Sequence, residues 1–268
     1  MINTNIANIK IAFNYRFSDF FEHNIEHYKT DEPSIHLLET KYYTSDIKII
    51  DGVNNRILAG VDGNIKTLLT YDAAFKHAMI HIDERKFRKE TLPHAEYIYM
   101  SMVFLEISYL YQYFPMHGSA IAYKNQGLIV SAPSGTGKST HTRMWKEAFN
   151  DDVIYVNDDK PLLKLIDDDI YIFGTPFSGA HTKNTNIRIP LKALVFLNQG
   201  LTNDIRPTNK DEAIKKIMRN SLRPKESHEW DEVIRLIDIM IEKVQMIDID
   251  ATLSHEAAYA VRKAIFKE

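Results

Sequence analysis

The apolar run 128–132, Leu128-Ile129-Val130-Ser131-Ala132, feeds through Pro133-Ser134-Gly135-Thr136-Gly137-Lys138-Ser139-Thr140 into a stretch free of helix breakers up to Phe149. Few chain paths satisfy that order. A strand must enter, glycines must permit a tight left-handed turn, and a helix must leave. The strand needs a sheet and the helix must cover it, so the segment commits the chain to an α/β architecture. Such a loop also converges several backbone N–H groups on one point, with the positive end of a helix behind them, which suits phosphate groups. By position, Ser134, Gly135, Thr136, Gly137, Lys138, Ser139 and Thr140 form the cradle. Lys138 reaches the outer phosphates, and the Ser139 hydroxyl suits one magnesium position. The fingerprint usually begins with glycine. Here Ala132 holds that place, so the strand and helix on either side carry the reading.

Upstream, short β-like runs at 9–15, 34–38, 47–50, 57–61 and 65–71 alternate with turn residues such as Asp51-Gly52, Asp62-Gly63 and Asn64. They predict a small β-rich N-terminal region over 1–92. A helix over 93–113, ending ahead of Pro115, opens a second region over 93–268. Within it the pattern predicts a hairpin of 119–124 with 128–132 about Asn125-Gln126-Gly127, a helix over 138–149 and a strand over 153–156. A second hairpin joins 161–166 to 170–173 about Asp167-Asp168-Asp169. A strand at 191–197, helices at 210–219 and 229–242, a strand at 244–249 and a helix at 254–266 complete the chain.

The 268 residues carry a formal net charge of −3. That supplies no basic field for counterion release, which argues against nucleic acid as a partner. There is no cysteine, hence no disulfide or thiolate metal site, and a cytoplasmic location is expected. The N-terminus shows no export signal. The aromatic-rich helix candidate carries Glu96 and Glu106, which speaks against a membrane span. Its residues are core or a subunit interface, so a homo-oligomer stays open.

Two further groups converge on the loop by spacing. In a hairpin centred on Gln126, Ala120 faces Ala132, and continuing the count sets His117 beside Gly135, with Ser119 on the same face. Val153-Ile154-Tyr155-Val156 ends in Asn157-Asp158-Asp159, placing acids at the carboxyl end of an apolar strand, where α/β ligand sites form. In an extended strand Asp158 and Asp159 point to opposite faces, so serving one site requires a bend, which Pro161 favours. Asp167-Asp168-Asp169 reads as a solvated turn and Asp151-Asp152 as a loop.

Met116-His117-Gly118-Ser119-Ala120, Ser134-Gly135-Thr136-Gly137-Lys138-Ser139 and Asn157-Asp158-Asp159-Lys160, in that order, resemble the HPr serine kinase family. The likeness spans roughly residues 115–200. It implies a phosphoenolpyruvate carboxykinase-like P-loop kinase core using ATP and Mg2+ to phosphorylate a serine-type hydroxyl of a protein, peptide or small molecule. It further implies Asp158 as general base, Asp159 and Ser139 in the magnesium shell, and His117 and Lys138 assisting transfer. The segment from Gly174-Thr175-Pro176 through 177–189 is similar to a substrate-facing loop, with Lys183 or Arg188 meeting the transferred phosphate. The Arg-Gly-Leu-Gly-like signature of the bifunctional members is missing, so phosphorolysis is not implied. Stand-alone kinases that modify ribosomally made peptides are a closer fit than enzymes acting on HPr itself. The rival readings are a non-catalytic ATP-binding regulatory module and a carboxykinase.

Overall fold

The structure, a computed structural model, describes residues 1–61, 63–179 and 183–267. It divides into two compact units, Met1–Tyr111 and Gln112–Glu268.

The first unit is a six-stranded mixed sheet. Its strands are β1 (Ile2–Ile6), β2 (Ile9–Asn14), β3 (His36–Tyr43), β4 (Asn54–Val61), β5 (Asn64–Tyr71) and β6 (His77–Asp83), in the order β1-β2-β3-β6-β5-β4. Helix α1 (Leu92–Tyr109) packs on it. The boundary expected at 92/93 would have assigned this helix to the second region. Its own chemistry ties it to the first. Glu96, 0% exposed, accepts hydrogen bonds from the Arg16 and Phe17 amides (2.9 Å each) and from the Thr40 hydroxyl. A buried carboxylate is costly without such partners, so these bonds set the helix in place. The expected strand 47–50 is irregular, with Ile49 and Ile50 exposed, whereas β1 and β6 were not foreseen. In β6 Ala78, Ile80 and Ile82 share one face and are buried, while of His77, Met79 and His81 on the other face His81 is buried too, so the period-2 pattern is obscured. Asp62 of the expected turn lies outside the described residues.

The second unit is also mixed α/β. It comprises β7 (Phe114–Pro115), β8 (Ser119–Tyr123), β9 (Gln126–Ser131), α2 (Lys138–Phe149), β10 (Val153–Asn157), β11 (Leu162–Ile166), β12 (Asp169–Phe173), β13 (Arg188–Gln199), β14 (Asp204–Pro207), α3 (Lys210–Arg219), α4 (Ser227–Lys243), β15 (Gln245–Ala251) and α5 (His255–Phe266). The strand order is β10-β8-β9-β13-β12-β11-β7, with β15 joining β13 and β14 joining β15. The long β13 is the spine. Its first residues pair antiparallel with β12, and the rest pairs parallel with β9 on one side and β15 on the other. The carboxyl ends of three parallel strands therefore lie together where the glycine loop departs. α2 and α5 bury Met144, Trp145, Val261 and Ile265 in a core with Val130, Val195 and Ile249. Among the described residues no helix is long and apolar enough to cross a membrane.

The β8–β9 hairpin differs from expectation in register. Ser119 faces Val130 and Tyr123 faces Gln126. The turn is Lys124-Asn125, with φ of 45° and 61°, a two-residue turn whose twist matches the strands. Gly127 is inside the strand rather than in the turn, opposite Ala122, and a Cβ there would meet the Ile172 Cδ1 at 2.5 Å and the Pro190 carbonyl at 3.0 Å. Asp167 and Asp168, φ 49° and 66°, make the acidic turn, while Asp169, expected in it, opens β12 opposite Ile166.

Candidate active site

The loop between β9 and α2 is held by its glycines through conformation, not space. Gly135 and Gly137 have φ of 79° and 111°, and an added Cβ would meet nothing within 4 Å at either. Gly137 caps α2 with no side-chain acceptor, and the first turn contains no acidic residue. The first-turn amides of Lys138, Ser139 and Thr140 thus have no intrahelical acceptor and their positive end is not neutralised locally. The Lys138 Nζ folds back to donate to the carbonyls of Ala132 (3.0 Å) and Pro133 (3.3 Å). Burial holds its ammonium below the ordinary lysine value, against the opposing pull of Asp159 and Asp158.

The acid pair is built by Asn157. This fully buried side chain donates from Nδ2 to the Thr175 carbonyl (2.8 Å) and hydroxyl (2.9 Å). Its Oδ1 accepts from the amides of Asp159 (2.8 Å) and Lys160 (2.5 Å). The result is an Asx turn that ends β10 and supplies the bend that an extended chain lacks. Asp158 and Asp159 accordingly reach one cleft. The Asp158 Oδ1 accepts from the Ser119 hydroxyl at 2.5 Å, which in turn bonds the Thr142 hydroxyl at 2.7 Å. Its Oδ2 has the Lys183 ammonium at 3.8 Å. The Asp159 Oδ1 pairs with the His117 Nδ1 at 2.9 Å, and its Oδ2 accepts from the Lys160 ammonium. Burial alone would raise the Asp159 carboxyl. The His117 hydrogen bond and the Lys160 charge outweigh it and hold the carboxyl below the usual range.

His117 arrives by a route other than the hairpin count. β7 pairs antiparallel with β11, Pro115 opposite Leu162, and the pairing continues as Met116 N–H to the Pro161 carbonyl and Gly118 N–H to the Asp159 carbonyl, 3.1 Å each. The His117 amide donates to the Asn220 carbonyl at 2.6 Å. The imidazole is therefore docked on Asp159 by the strand that leaves the acid pair.

A cleft of about 440 Å3 gathers His117, Lys138, Ser139, Asp158 and Asp159, together with Ser134, Gly135, Gly137 and Thr140 of the loop. Thr136, expected in the same cradle, lines a neighbouring cleft instead. Ser178 and Gly179 also line the first cleft, and both fall within the segment 177–189 that the resemblance set facing the substrate. The Asn157 turn had a signal: an Asn ahead of Asp-Asp at a strand end is Asx-turn chemistry. Gly174 and Thr175 are not substrate-facing. A Cβ on Gly174 would lie 1.9 Å from the Thr185 carbonyl oxygen, and the buried Thr175 hydroxyl donates to the Lys160 carbonyl at 3.0 Å. They form the scaffold behind the acids. Of the loop that follows, Ala180, His181 and Thr182 lie outside the described residues. Lys183 reaches Asp158, but the Arg188 guanidinium lies over the Tyr171 ring at 5.0 Å and does not line the cleft.

Among the described residues no group of three or more His, Asp or Glu forms a metal cage. Magnesium does not require one, since it binds through one or two carboxylates plus phosphate oxygens and keeps several waters. The Ser139 hydroxyl and the Asp158 and Asp159 carboxylates are hard oxygen donors of the right kind. Each Asp159 oxygen accepts one hydrogen bond, from His117 or Lys160, and keeps a second lone pair that a cation could take.

No protein-family model matches this chain. No curated protein matches it either. Among solved structures, the HPr(Ser) kinase/phosphatase from Coxiella burnetii aligns over 48% of this chain and 98% of its own, at 15% identity and a TM-score of 0.29. Similarity at that level carries no weight for fold or activity.

Proposed function

We propose that the second unit is an ATP- and magnesium-dependent kinase with a phosphoenolpyruvate carboxykinase-like P-loop core, passing the γ-phosphate to a serine-type hydroxyl of a protein, peptide or small molecule. The observation that carries this reading is the sharing of one cleft by Lys138 and Ser139 of the glycine loop with His117, Asp158 and Asp159. Phosphoryl transfer asks the protein mainly for positioning and charge stabilisation, and this set supplies both.

Lys138 and the first-turn amides of α2 hold the phosphate oxygens and stabilise the charge that builds on the transferring group. To do so Lys138 exchanges the Ala132 and Pro133 carbonyls for phosphate. Ser139 and Asp159 would hold magnesium, which when bound neutralises phosphate oxygens. Asp158 is tethered through Oδ1 by Ser119, so Oδ2 is the oxygen left to take the proton of the attacking hydroxyl. Asp159 orients His117, whose other ring nitrogen serves the phosphate region. Lys183 beside Asp158 supplies positive charge on the acceptor side. The order of the His, loop and acid motifs, which resembles the HPr serine kinases, supports the same assignment.

The test combines nucleotide titration with transfer of γ-labelled phosphate to a serine peptide library. Asp158→Asn should abolish transfer while ATP affinity stays within about twofold, and Lys138→Ala should remove both. Transfer surviving in Asp158→Asn sinks the mechanism, and unchanged ATP affinity in Lys138→Ala sinks the loop assignment.

A further inference from the structure

The face of the first sheet turned away from α1 carries a cavity of about 880 Å3. That volume is within the range of about 300–1,000 Å3 typical of small-molecule pockets. The Thr40 hydroxyl bonds Glu96 of α1, so by alternation along β3 Lys41 and Tyr43 point to the opposite face. Register sets Lys41 beside His81 of β6, and Met79 of β6 beside Thr70 of β5, on that same face. All five line the cavity. Ile50 and Val53, from the segment ahead of β4, stand at its border, 38% and 49% exposed.

The charges around this cavity are matched except for one. The Asp72 carboxylate accepts from the amides of Ala74 (3.2 Å), Lys76 (2.7 Å) and His77 (3.3 Å). The His77 Nε2 pairs with Glu39 at 2.5 Å, and Glu39 also accepts from the Asn14 Nδ2 at 3.2 Å. The Lys41 ammonium lies over the Tyr43 ring, 5.4 Å from its centre, and among the described residues it faces no carboxylate within 4 Å.

The floor also has a proton to give. His81 is 3% exposed, and burial, aided by the Lys41 charge, holds its imidazole below the ordinary histidine value. The ring is therefore neutral, with one donor and one acceptor nitrogen. Its Nδ1 meets the Tyr43 hydroxyl at 2.8 Å and its Nε2 meets the Thr70 hydroxyl at 2.9 Å. Whichever nitrogen holds the proton, one hydroxyl donates to the ring and the other accepts from it. The accepting hydroxyl keeps its own proton, and neither has a further partner among the described residues.

We propose that this cavity seats a small organic monocarboxylate. One oxygen pairs with the Lys41 ammonium, the other accepts the spare hydroxyl proton of Tyr43 or Thr70, and the apolar body lies over Met79 against Ile50 and Val53. One unmatched cation suits one negative charge. A phosphate dianion or a dicarboxylate would bring a charge that no second cation meets, with the Glu39 carboxylate two residues along β3. The seat is confined to the first unit and is independent of the kinase reading.

The experiment titrates 3-phenylpropionate and 4-methylpentanoate, each beside its uncharged amide, into the full chain. Methionine methyl signals are followed by NMR, with Met79 assigned through Met79→Leu. The acids should shift the Met79 methyl and bind about three- to tenfold more tightly than their amides, the share of one exposed ion pair and one hydrogen bond. Lys41 is exposed, so Lys41→Ala is neutral for folding; it should lower acid affinity to that of the amide and leave amide affinity unchanged. A Met79 methyl unmoved by either acid up to about 10 mM overturns the seat, as does equal affinity for acid and amide in the unaltered protein. An acid preference that survives Lys41→Ala overturns it too.

Discussion

Replacing Asn157 with Ala probes how the acid pair is assembled, because this side chain is fully buried and uses both ends. Its removal strips the Asp159 and Lys160 amides of the acceptor they share at 2.8 and 2.5 Å, and the Thr175 carbonyl of a donor at 2.8 Å. An unsatisfied buried group costs about 1–3 kcal/mol, which for three groups gives an upper bound well above 3 kcal/mol. Asp159 borders the cleft, so water can reach its amide in part, and the expected loss is about 3–4 kcal/mol. That is a large share of the roughly 5–15 kcal/mol that stabilises a typical domain. Both tryptophans, Trp145 and Trp230, lie in the second unit, so urea unfolding followed by their fluorescence reports on this unit. Thr175→Val removes the hydroxyl that Asn157 also meets, at 2.9 Å, and leaves the carbonyl, so a double-mutant cycle should return a coupling of about 1 kcal/mol. Phosphate transfer should fall with stability, because Asp158 and Asp159 lose the bend that brings them to one cleft. A loss under about 1 kcal/mol, or full turnover in Asn157→Ala, would refute the Asx turn as the device that builds the site.

Asp159 predicts an acid-sensitive step. Its folded carboxyl titrates below its unfolded value, so the stabilisation is complete above the ordinary carboxylate pKa and is lost as pH falls through the depressed folded value. Asp159→Asn should flatten the fall of the urea midpoint between about pH 6 and 3, a range chosen to bracket the unperturbed carboxylate; an unchanged slope would count against the pairing with His117 and Lys160. Two glycines separate clash from conformation. Gly174→Ala meets backbone carbonyls at 1.9 and 2.8 Å and should cost about 3 kcal/mol or more, whereas Gly135→Ala meets only an unfavourable φ and should cost about 1–2 kcal/mol. Equal losses in fluorescence-monitored unfolding would refute that distinction.

Most elements of the second unit were legible because their signals are local, whereas the short β7 and β14 were not foreseen. Helix-compatible composition after Lys138 and after Lys210 located α2 and α3 to the residue, and apolar runs located β10, β11, β12 and β13 within a few residues. The bend after Asn157 was legible in part, from the conflict between two adjacent acids and one strand. The first unit was harder to read: β6 hides its alternation behind histidines, and α1 is tied to its sheet through Glu96 by contacts far apart in sequence.

By itself the sequence determined a strand, a glycine loop and a helix in that order, because left-handed backbone at Gly135 and Gly137 and an uninterrupted helical stretch depend only on neighbouring residues. The tertiary structure alone decided which groups meet there. His117 comes to Asp159 through the pairing of β7 with β11, and Thr136 turns to a second cleft formed where β13 and β15 end. Strand register and the meeting of strand ends are set by packing between distant segments, which no spacing along the chain encodes.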